Sequence, residues 1–233
     1  MKIALLGYGK MGKEIEKIAL QRGHKIVIKN SGKEAYNITN ADIAIDFSIP
    51  NSAFNNISNC INNSIPVISG TTGWLEQYNN VVDLCNQKQG AFIYASNFSL
   101  GVNIFFELNK QLAKMMNTLK QYDVSIEEIH HTKKLDAPSG TAITLADGII
   151  ENTDKKDWEL NTNPLKENIV IKAIRTPDVP GTHTVTYQSE IDTIDIKHTA
   201  HNRQGFALGA VIAAEWLINK TGVYTMRDVL NLG

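Results

Sequence analysis

The chain has 233 residues, long for one compact core and short for two full-sized domains. Apolar residues make up 42% and charged residues 20%, a globular mixture that excludes a disordered chain. Lys and Arg total 23 against 24 Asp and Glu, so the net charge of −1 gives no basic field for nucleic acid or an anionic membrane.

The two cysteines, Cys60 and Cys85, form neither a disulfide framework nor a C-x-x-C pair, and both are expected as buried reduced thiols. The apolar start Ile3–Leu6 is too short for a secretory signal. Phe206–Ile218 is 13 residues long, contains Glu215 and is too short to cross a membrane. A soluble, cytoplasmic protein is expected.

In chain order, Ile3–Leu6 reads as a strand leading into a helix with Met11, Ile15, Ile18 and Ala19 on one face. Lys25–Lys29, Ile43–Phe47, Ile65–Ser69 and Ala91–Ala95 read as further strands, with helical patterns around Phe54–Ile61 and Trp74–Cys85. Apolar strands alternating with helices predict a parallel sheet covered on both faces. A long helix follows Gly101, then a strand at Asp123–Ile129, a Gly/Pro/Ser loop and a helix over Thr141–Ile150. Glu151–Lys166 reads as a polar surface loop, and Asn168–Arg175, His183–Glu190 and Asp192–Thr199 as strands of a mostly antiparallel or mixed sheet. Residues 206–218 return to helical spacing, with Gly209, Ala210, Ala213 and Ala214 small enough for close packing.

Gly7-Tyr8-Gly9-Lys10-Met11-Gly12 fits G-x-G-x-x-G between a strand and a helix, the context that pattern needs to bind a dinucleotide. Gly7 permits the tight turn, Gly9 admits a pyrophosphate against the backbone, Gly12 lets helix and strand approach, and the helix N-terminus supplies free N–H groups. The predicted class is therefore α/β: a Rossmann-like, doubly wound parallel sheet with an inserted α+β domain. Residues 1–99 and 203–233 form the dinucleotide-binding domain, and 100–202 the domain for substrate binding and oligomerisation.

NAD-binding units usually end the second strand with a carboxylate for the ribose hydroxyls, but here that place reads Lys29-Asn30-Ser31-Gly32-Lys33. A cationic Lys29 suits a 2′-phosphate, which favours NADPH slightly over NADH. Gly70-Thr71-Thr72-Gly73 and Ala95-Ser96-Asn97-Phe98-Ser99 follow the fourth and fifth strands, where ligands of open α/β sheets bind.

Five of the six histidines lie between His130 and His201. Adjacent His130 and His131 project in different directions, and no third ligand stands at useful spacing, so no metal site is expected. His130 and Lys134 can instead line one anionic pocket as proton donor and electrostatic clamp. Pro138 leads into Ser139, a plausible N-cap, and the N–H groups of Gly140 and Thr141 suit a carboxylate. Arg175 or His183 could contribute from the neighbouring strands.

With these residues in place the chain resembles the dihydrodipicolinate (4-hydroxy-tetrahydrodipicolinate) reductase family. The resemblance runs through Gly7–Gly12, Asp46-Phe47-Ser48, Gly70–Thr72, Ala95–Val102, the string from Glu128 to Ala142, and Arg203–Ala210. The His-His…Lys…Asp-Ala-Pro-Ser-Gly-Thr-Ala string is its specific part. The resemblance implies NAD(P)H-dependent reduction of a cyclic dicarboxylate to tetrahydrodipicolinate with loss of water, in lysine biosynthesis by the diaminopimelate route. It implies dinucleotide binding by Gly7, Tyr8, Gly9, Lys10, Met11, Gly12, Lys29, Gly70, Thr71, Thr72, Ala95, Ser96, Asn97 and Phe98. His130 would donate or accept a proton and Lys134 would be a second proton donor. His131, Ser139, Gly140 and Thr141 would bind the substrate, and a homotetramer is implied. Where relatives often carry Glu-Arg near the end of the second strand, this chain has Lys29-Asn30. Two other readings fit the layout: another NAD(P)-dependent two-domain reductase such as an amino-acid dehydrogenase, and a non-catalytic dinucleotide sensor. A sensor has no need of His130, Lys134 and the Ser139–Thr141 anion site together.

Overall fold

After one exposed lysine, strand β1 (Lys2–Leu6) buries four consecutive residues, so both faces of its sheet must be covered. The computed structural model, which describes residues 1–32, 35–161, 166–202 and 204–232, shows how. The chain divides into two compact units, Met1–Asn103 with Arg203–Gly233, and Ile104–Asn202.

In the first unit β1 joins β2 (Lys25–Asn30), β3 (Ile43–Asp46), β4 (Val67–Ser69), β5 (Ala91–Tyr94) and β11 (Gly222–Tyr224) in one sheet. The spatial order is β11-β5-β4-β3-β1-β2, and every pairing is parallel. Successive side chains of a strand point to opposite faces. Ile3 and Leu5 accordingly join a core with Ile15 and Ala19 of α1 (Lys10–Gln21) and Ala207, Ala210, Ala213 and Ala214 of α6 (Gln204–Leu217). Ala4 and Leu6 join the opposite core, with Ile57 and Ile61 of α2 (Pro50–Asn62) and Val81 and Cys85 of α3 (Tyr78–Gln87). The sheet is doubly wound. Its order reverses at β1, which has β2 on one side and β3 on the other, so a crevice opens at the carboxyl ends of β1 and β3.

The small residues of α6 have a visible use. A Cβ on Gly209 would lie 1.7 Å from the carbonyl oxygen of Phe98. Arg22 and His24 each reach a carboxylate oxygen of Glu215 on α6 at 2.7 Å. Cys60 and Cys85 are both buried and unpaired. Sequence pattern gave no sign of the three-residue β11 or of the short α7 (Met226–Val229).

The second unit holds most of α4 (Leu100–Met116), β6 (Asp123–His130), α5 (Gly140–Ile150), β7 (Asp157–Leu160), β8 (Asn168–Arg175), β9 (Gly181–Gln188) and β10 (Thr193–Ala200). Its sheet runs β10-β9-β6-β8-β7. The pairs with β9 are antiparallel, while β6–β8 and β7–β8 are parallel, so the sheet is mixed and not mostly antiparallel. The β6–β8 pair is parallel because the chain crosses over through α5 between those strands. The expected polar loop Glu151–Lys166 is also corrected: it contains β7, whose Trp158 and Leu160 pack against the core while Asp157 stays exposed. An edge strand this short and polar lacks the apolar run that marks a central strand. One sheet face packs Val124, Ile126, Ile171 and Val185 against Phe105, Leu145 and Ile149 of α4 and α5.

Candidate active site

In the first unit the candidate site is the crevice of the parallel sheet. Gly7 has φ +98°, and a Cβ there would lie 2.0 Å from the Phe47 carbonyl oxygen. A Cβ on Gly12 would meet the Gly7 carbonyl oxygen at 2.3 Å, whereas one on Gly9 would meet nothing within 4 Å. Two glycines thus let the backbone close on itself, and the third faces open space. Gly9 is the N-cap of α1 and supplies no side-chain cap, so the first N–H groups of the helix are open to an anion. Lys10 is exposed and Met11 half-buried at this turn.

Asp46, fully buried at the end of β3, gathers the neighbouring loops. It accepts from Thr71 Oγ1 at 2.7 Å, Ser69 Oγ at 2.9 Å and Asn56 Nδ2 at 3.0 Å, while Ser48 N donates to Thr71 Oγ1 at 2.9 Å. Burial raises the proton affinity of the Asp46 carboxyl, and these donors oppose the shift. Gly70 is needed because a Cβ would come within 2.4 Å of the Phe47 ring, which stands 5.8 Å from that of Phe98. Asn97 Oδ1 accepts from Ser99 N at 2.9 Å, fixing the loop of Ala95 and Ser96, and Ser96 and Thr72 are exposed. The structure therefore brings together Gly7–Gly12, Gly70–Thr72 and Ala95–Phe98.

Lys29 lies at the same end of the sheet, with its ammonium 2.5 Å from Glu16 and 5.3 Å from the centre of the Tyr8 ring; the Tyr8 hydroxyl also donates to Glu16. Hydrogen bonding to Glu16 raises the proton affinity of Lys29. Sequence reading missed Glu16, because it is separated from the second strand by a turn and sits on the flank of α1, beside the apolar face of Ile15 and Ala19. Lys33 and Arg203, both named in the sequence reading, lie outside the described residues.

In the second unit the candidate site is built on β6, where alternation turns Val124, Ile126, Glu128 and His130 toward the same buried face. The first two continue the core. Glu128 and His130 extend that face with polar groups. The following residues turn outward, leaving His131 and Lys134 half-buried, and Lys134 Nζ donates to Asp136 Oδ2 at 2.7 Å. A cis Ala137–Pro138 bond precedes Ser139, whose side chain caps α5 by accepting from Ala142 N at 3.2 Å. Ser139 N donates to both oxygens of Glu128, at 3.2 and 3.1 Å. The N–H groups of exposed Gly140 and half-buried Thr141 stand outside these bonds.

His183 of β9 and Arg175 of β8 complete the cluster. His183 Nε2 is 3.1 Å from Ser139 Oγ, and the His130 and His183 rings meet edge to face at 4.9 Å. Arg175 Nη2 donates to Glu128 Oε1 at 3.2 Å and to the Asp136 carbonyl at 2.6 Å. His130 Nδ1 is buried, has no hydrogen-bond partner among the described residues and lies 3.5 Å from Glu128 Oε2. Donor atoms of Glu128, His130 and His183 all lie within 4.8 Å of one another, a triad that sequence spacing did not show. Glu128 is already taken by the Ser139 N–H, and the adjacent Arg175 guanidinium opposes a cation, so the triad is a polar cluster in which Ser139 bonds to both Glu128 and His183.

Burial alone would push the Glu128 carboxyl up. His183, the side chain and N–H of Ser139, and His130 outweigh that and hold it at about 2. Burial lowers the His130 imidazole to about 4, helped by His183, Lys134 and Arg175 and opposed by Glu128. His130 is thus neutral at pH 7. At both groups the unfolded chain binds more protons in acid than the folded one, so stability falls with pH. The loss runs from about 6.5 to about 4 through His130 and from about 4.5 to about 2 through Glu128. Thermal denaturation at stepped pH should give a Tm that declines steadily below pH 6.5. In His130→Gln the decline between pH 6.5 and 4.5 should be shallower, what remains there coming from His198, whose imidazole burial also lowers.

Models of the dihydrodipicolinate reductase N-terminus and C-terminus match residues 1–98 and 101–230. The chain belongs to the dihydrodipicolinate reductase family. It is an oxidoreductase of that family, as its likeness to curated relatives over the full length also indicates. A 4-hydroxy-tetrahydrodipicolinate reductase of Christiangramia forsetii is 57% identical, with 99% of this chain and 98% of the relative covered. One of Thermosipho africanus is 34% identical over 99% of this chain and 98% of its own length. A dipicolinate-bound dihydrodipicolinate reductase from Paenisporosarcina sp. TG-14 shares the fold, with TM-score 0.77, 22% identity and 97% of each chain covered. Among the described residues of this family member, no helix is long and apolar enough to cross a membrane.

Proposed function

We propose that the chain is a 4-hydroxy-tetrahydrodipicolinate reductase, which reduces that cyclic dicarboxylate to tetrahydrodipicolinate with loss of water, in the cytoplasm and on the diaminopimelate route to lysine. The observation that carries this reading is buried His130 in the same unit as the start of α5, where the Gly140 and Thr141 N–H groups stand outside the Ser139 cap, in a chain 57% identical to a reductase of that name.

The crevice at Gly7, Gly9 and Gly12 fits a nicotinamide dinucleotide: open space at Gly9, an uncapped helix start, and hydroxyl-bearing loops at Thr71, Thr72 and Ser96. When bound in reduced form, that group supplies the hydride. The remaining work falls to side chains of this protein. The Gly140 and Thr141 N–H groups, with the positive end of the α5 dipole, hold a substrate carboxylate, and His131 contributes beside them. His130, neutral before substrate arrives, gains proton affinity when a dianion enters and then serves as proton donor to the ring. Lys134 is the second proton donor, kept in place by Asp136.

The decisive experiment couples NAD(P)H oxidation to the synthase that makes the hydroxylated substrate. Turnover is expected; no turnover there, with activity on a 2-oxo acid plus ammonia, would instead identify an amino-acid dehydrogenase. Thr141→Val keeps the backbone N–H but removes the hydroxyl that we propose as a further donor to the carboxylate, and should raise the KM for the dicarboxylate by about tenfold, the worth of one hydrogen bond to a charged group, with a smaller change in kcat. A change in Tm alone would reduce Thr141 to a helix-terminal residue.

We also propose that the cofactor can be NADPH or NADH. Lys29 offers a charge to a 2′-phosphate, but Glu16 already offsets that charge. The two kcat/KM values should therefore lie within about tenfold of each other, a difference of about 1.4 kcal/mol. Assembly as a homotetramer is proposed through the exposed face of the mixed sheet, which carries Lys172, Asp195 and Lys197; light scattering tests it.

A further inference from the structure

Glu128 stands where an ionised carboxylate costs most. It is fully buried on β6, two residues before His130, and the chemistry proposed above makes no use of it. Such a charge is tolerated only when it is paired and its lone pairs are filled. Its partners come from three other parts of the unit: Ser139 N ahead of α5, Arg175 on β8 and His183 on β9, the last 3.6 Å from Oε2.

Each partner leads to a different element of the reaction site. Ser139 is the residue from which α5 starts. By taking the Ser139 N–H, Glu128 sets the direction of the next two N–H groups, those of Gly140 and Thr141. Arg175 donates not only to Glu128 but also to the carbonyls of Asp136, at 2.6 Å, and Lys134, at 3.4 Å. The loop that carries Lys134 is therefore tied to β8 by a guanidinium that Glu128 holds. His130 Nδ1 lies 3.5 Å from Glu128 Oε2, so the same charge acts on the imidazole.

We infer that Glu128 is a positioning residue for the reaction, holding the carboxylate grip of α5, the Lys134 loop and His130 in one arrangement. The inference rests on the proposed reductase reading. A buried carboxylate that served only folding would need partners, but it would not need them to be the three segments that meet the substrate.

The variants Glu128→Gln and Glu128→Asp test this. Gln keeps the shape but turns an NH2 group toward either the Ser139 N–H or the Arg175 guanidinium, both of which are donors. Asp keeps the charge on a shorter arm. In Glu128→Gln, the KM for the hydroxylated dicarboxylate and the Kd for pyridine-2,6-dicarboxylate should rise about tenfold or more, while the KM for NADPH changes less than about twofold. The limb of the kcat–pH profile that reports His130 should move to lower pH, because Glu128 is the one carboxylate facing an imidazole otherwise surrounded by His183, Lys134 and Arg175. Glu128→Asp should return that limb toward the wild-type position. An active wild type whose Gln variant loses Tm, yet keeps both dicarboxylate constants and the pH limb, overturns the inference alone. If Glu128→Gln does not fold, Glu128→Asp decides: its shorter arm should raise both dicarboxylate constants while the retained charge keeps the pH limb near wild type, and unchanged dicarboxylate constants there would overturn the inference. A wild type that neither turns over nor binds the dicarboxylates overturns the inference together with the reductase reading.

Discussion

His130→Gln should lower kcat by about 10²–10⁴-fold, the range a positioned proton donor contributes, with a modest change in KM. Glutamine keeps a polar group of similar reach on the buried face of β6 but cannot exchange a proton near neutral pH. The substrate grip sits elsewhere, at Gly140 and Thr141, so binding should survive the change. The fold should survive too, because His130 Nδ1 has no hydrogen-bond partner to lose and Glu128 keeps its bonds from Ser139 and Arg175. Steady-state kinetics with the coupled synthase measures the effect. A kcat within tenfold of wild type would remove His130 from its role and leave Lys134 as the remaining proton donor.

Gly209→Ala should be the most damaging small change in the first unit. In an exposed helix interior this substitution gains up to about 1 kcal/mol. At position 209 the added Cβ would lie 1.7 Å from the carbonyl oxygen of Phe98 and 2.8 Å from its carbon, and these are backbone atoms that cannot rotate away. Either α6 lifts from the sheet or the Phe98 loop moves, and both disturb a core that includes Ile93, Phe98 and Ala210. The expected cost is about 3 kcal/mol or more, equivalent to a fall in Tm of roughly 6 °C or more for a chain of this size. Gly205→Ala is the internal control. The same helix there offers 3.6 Å to Ser99 Oγ, so that variant should hold or raise Tm. Equal loss in both would mean that the damage does not arise from the approach of α6 to Phe98.

The legible parts of the sequence were those where one physical signal acts alone. Apolar runs such as Ile3–Leu6 and Ile43–Ile45 read as interior strands, and the glycines at 7 and 12 can be read because each answers a steric demand. β7 was illegible because an edge strand needs only half its residues apolar, and Asp157-Trp158-Glu159-Leu160 is too short to display a period. Glu128 could have been found. Continuing the alternation Val124, Ile126 by two steps places Glu128 and His130 in the core, and a buried carboxylate requires partners. The identity of those partners could not be read, since Arg175 and His183 are 47 and 55 residues away in the chain and arrive through sheet pairing. Glu16 and Lys29 pose the same problem on a smaller scale, because their meeting depends on how α1 lies across β2.

β6 is the middle strand of its sheet, bonded to β9 on one side and to β8 on the other. Backbone in that position opens only when the surrounding unit opens. The proton donor therefore rides on the most persistent part of its unit, while the carboxylate grip begins at a helix start, where fraying comes first. Warming should accordingly erode recognition of the dicarboxylate before it erodes the capacity for proton transfer, so that an enzyme near its melting range becomes less selective before it becomes inert.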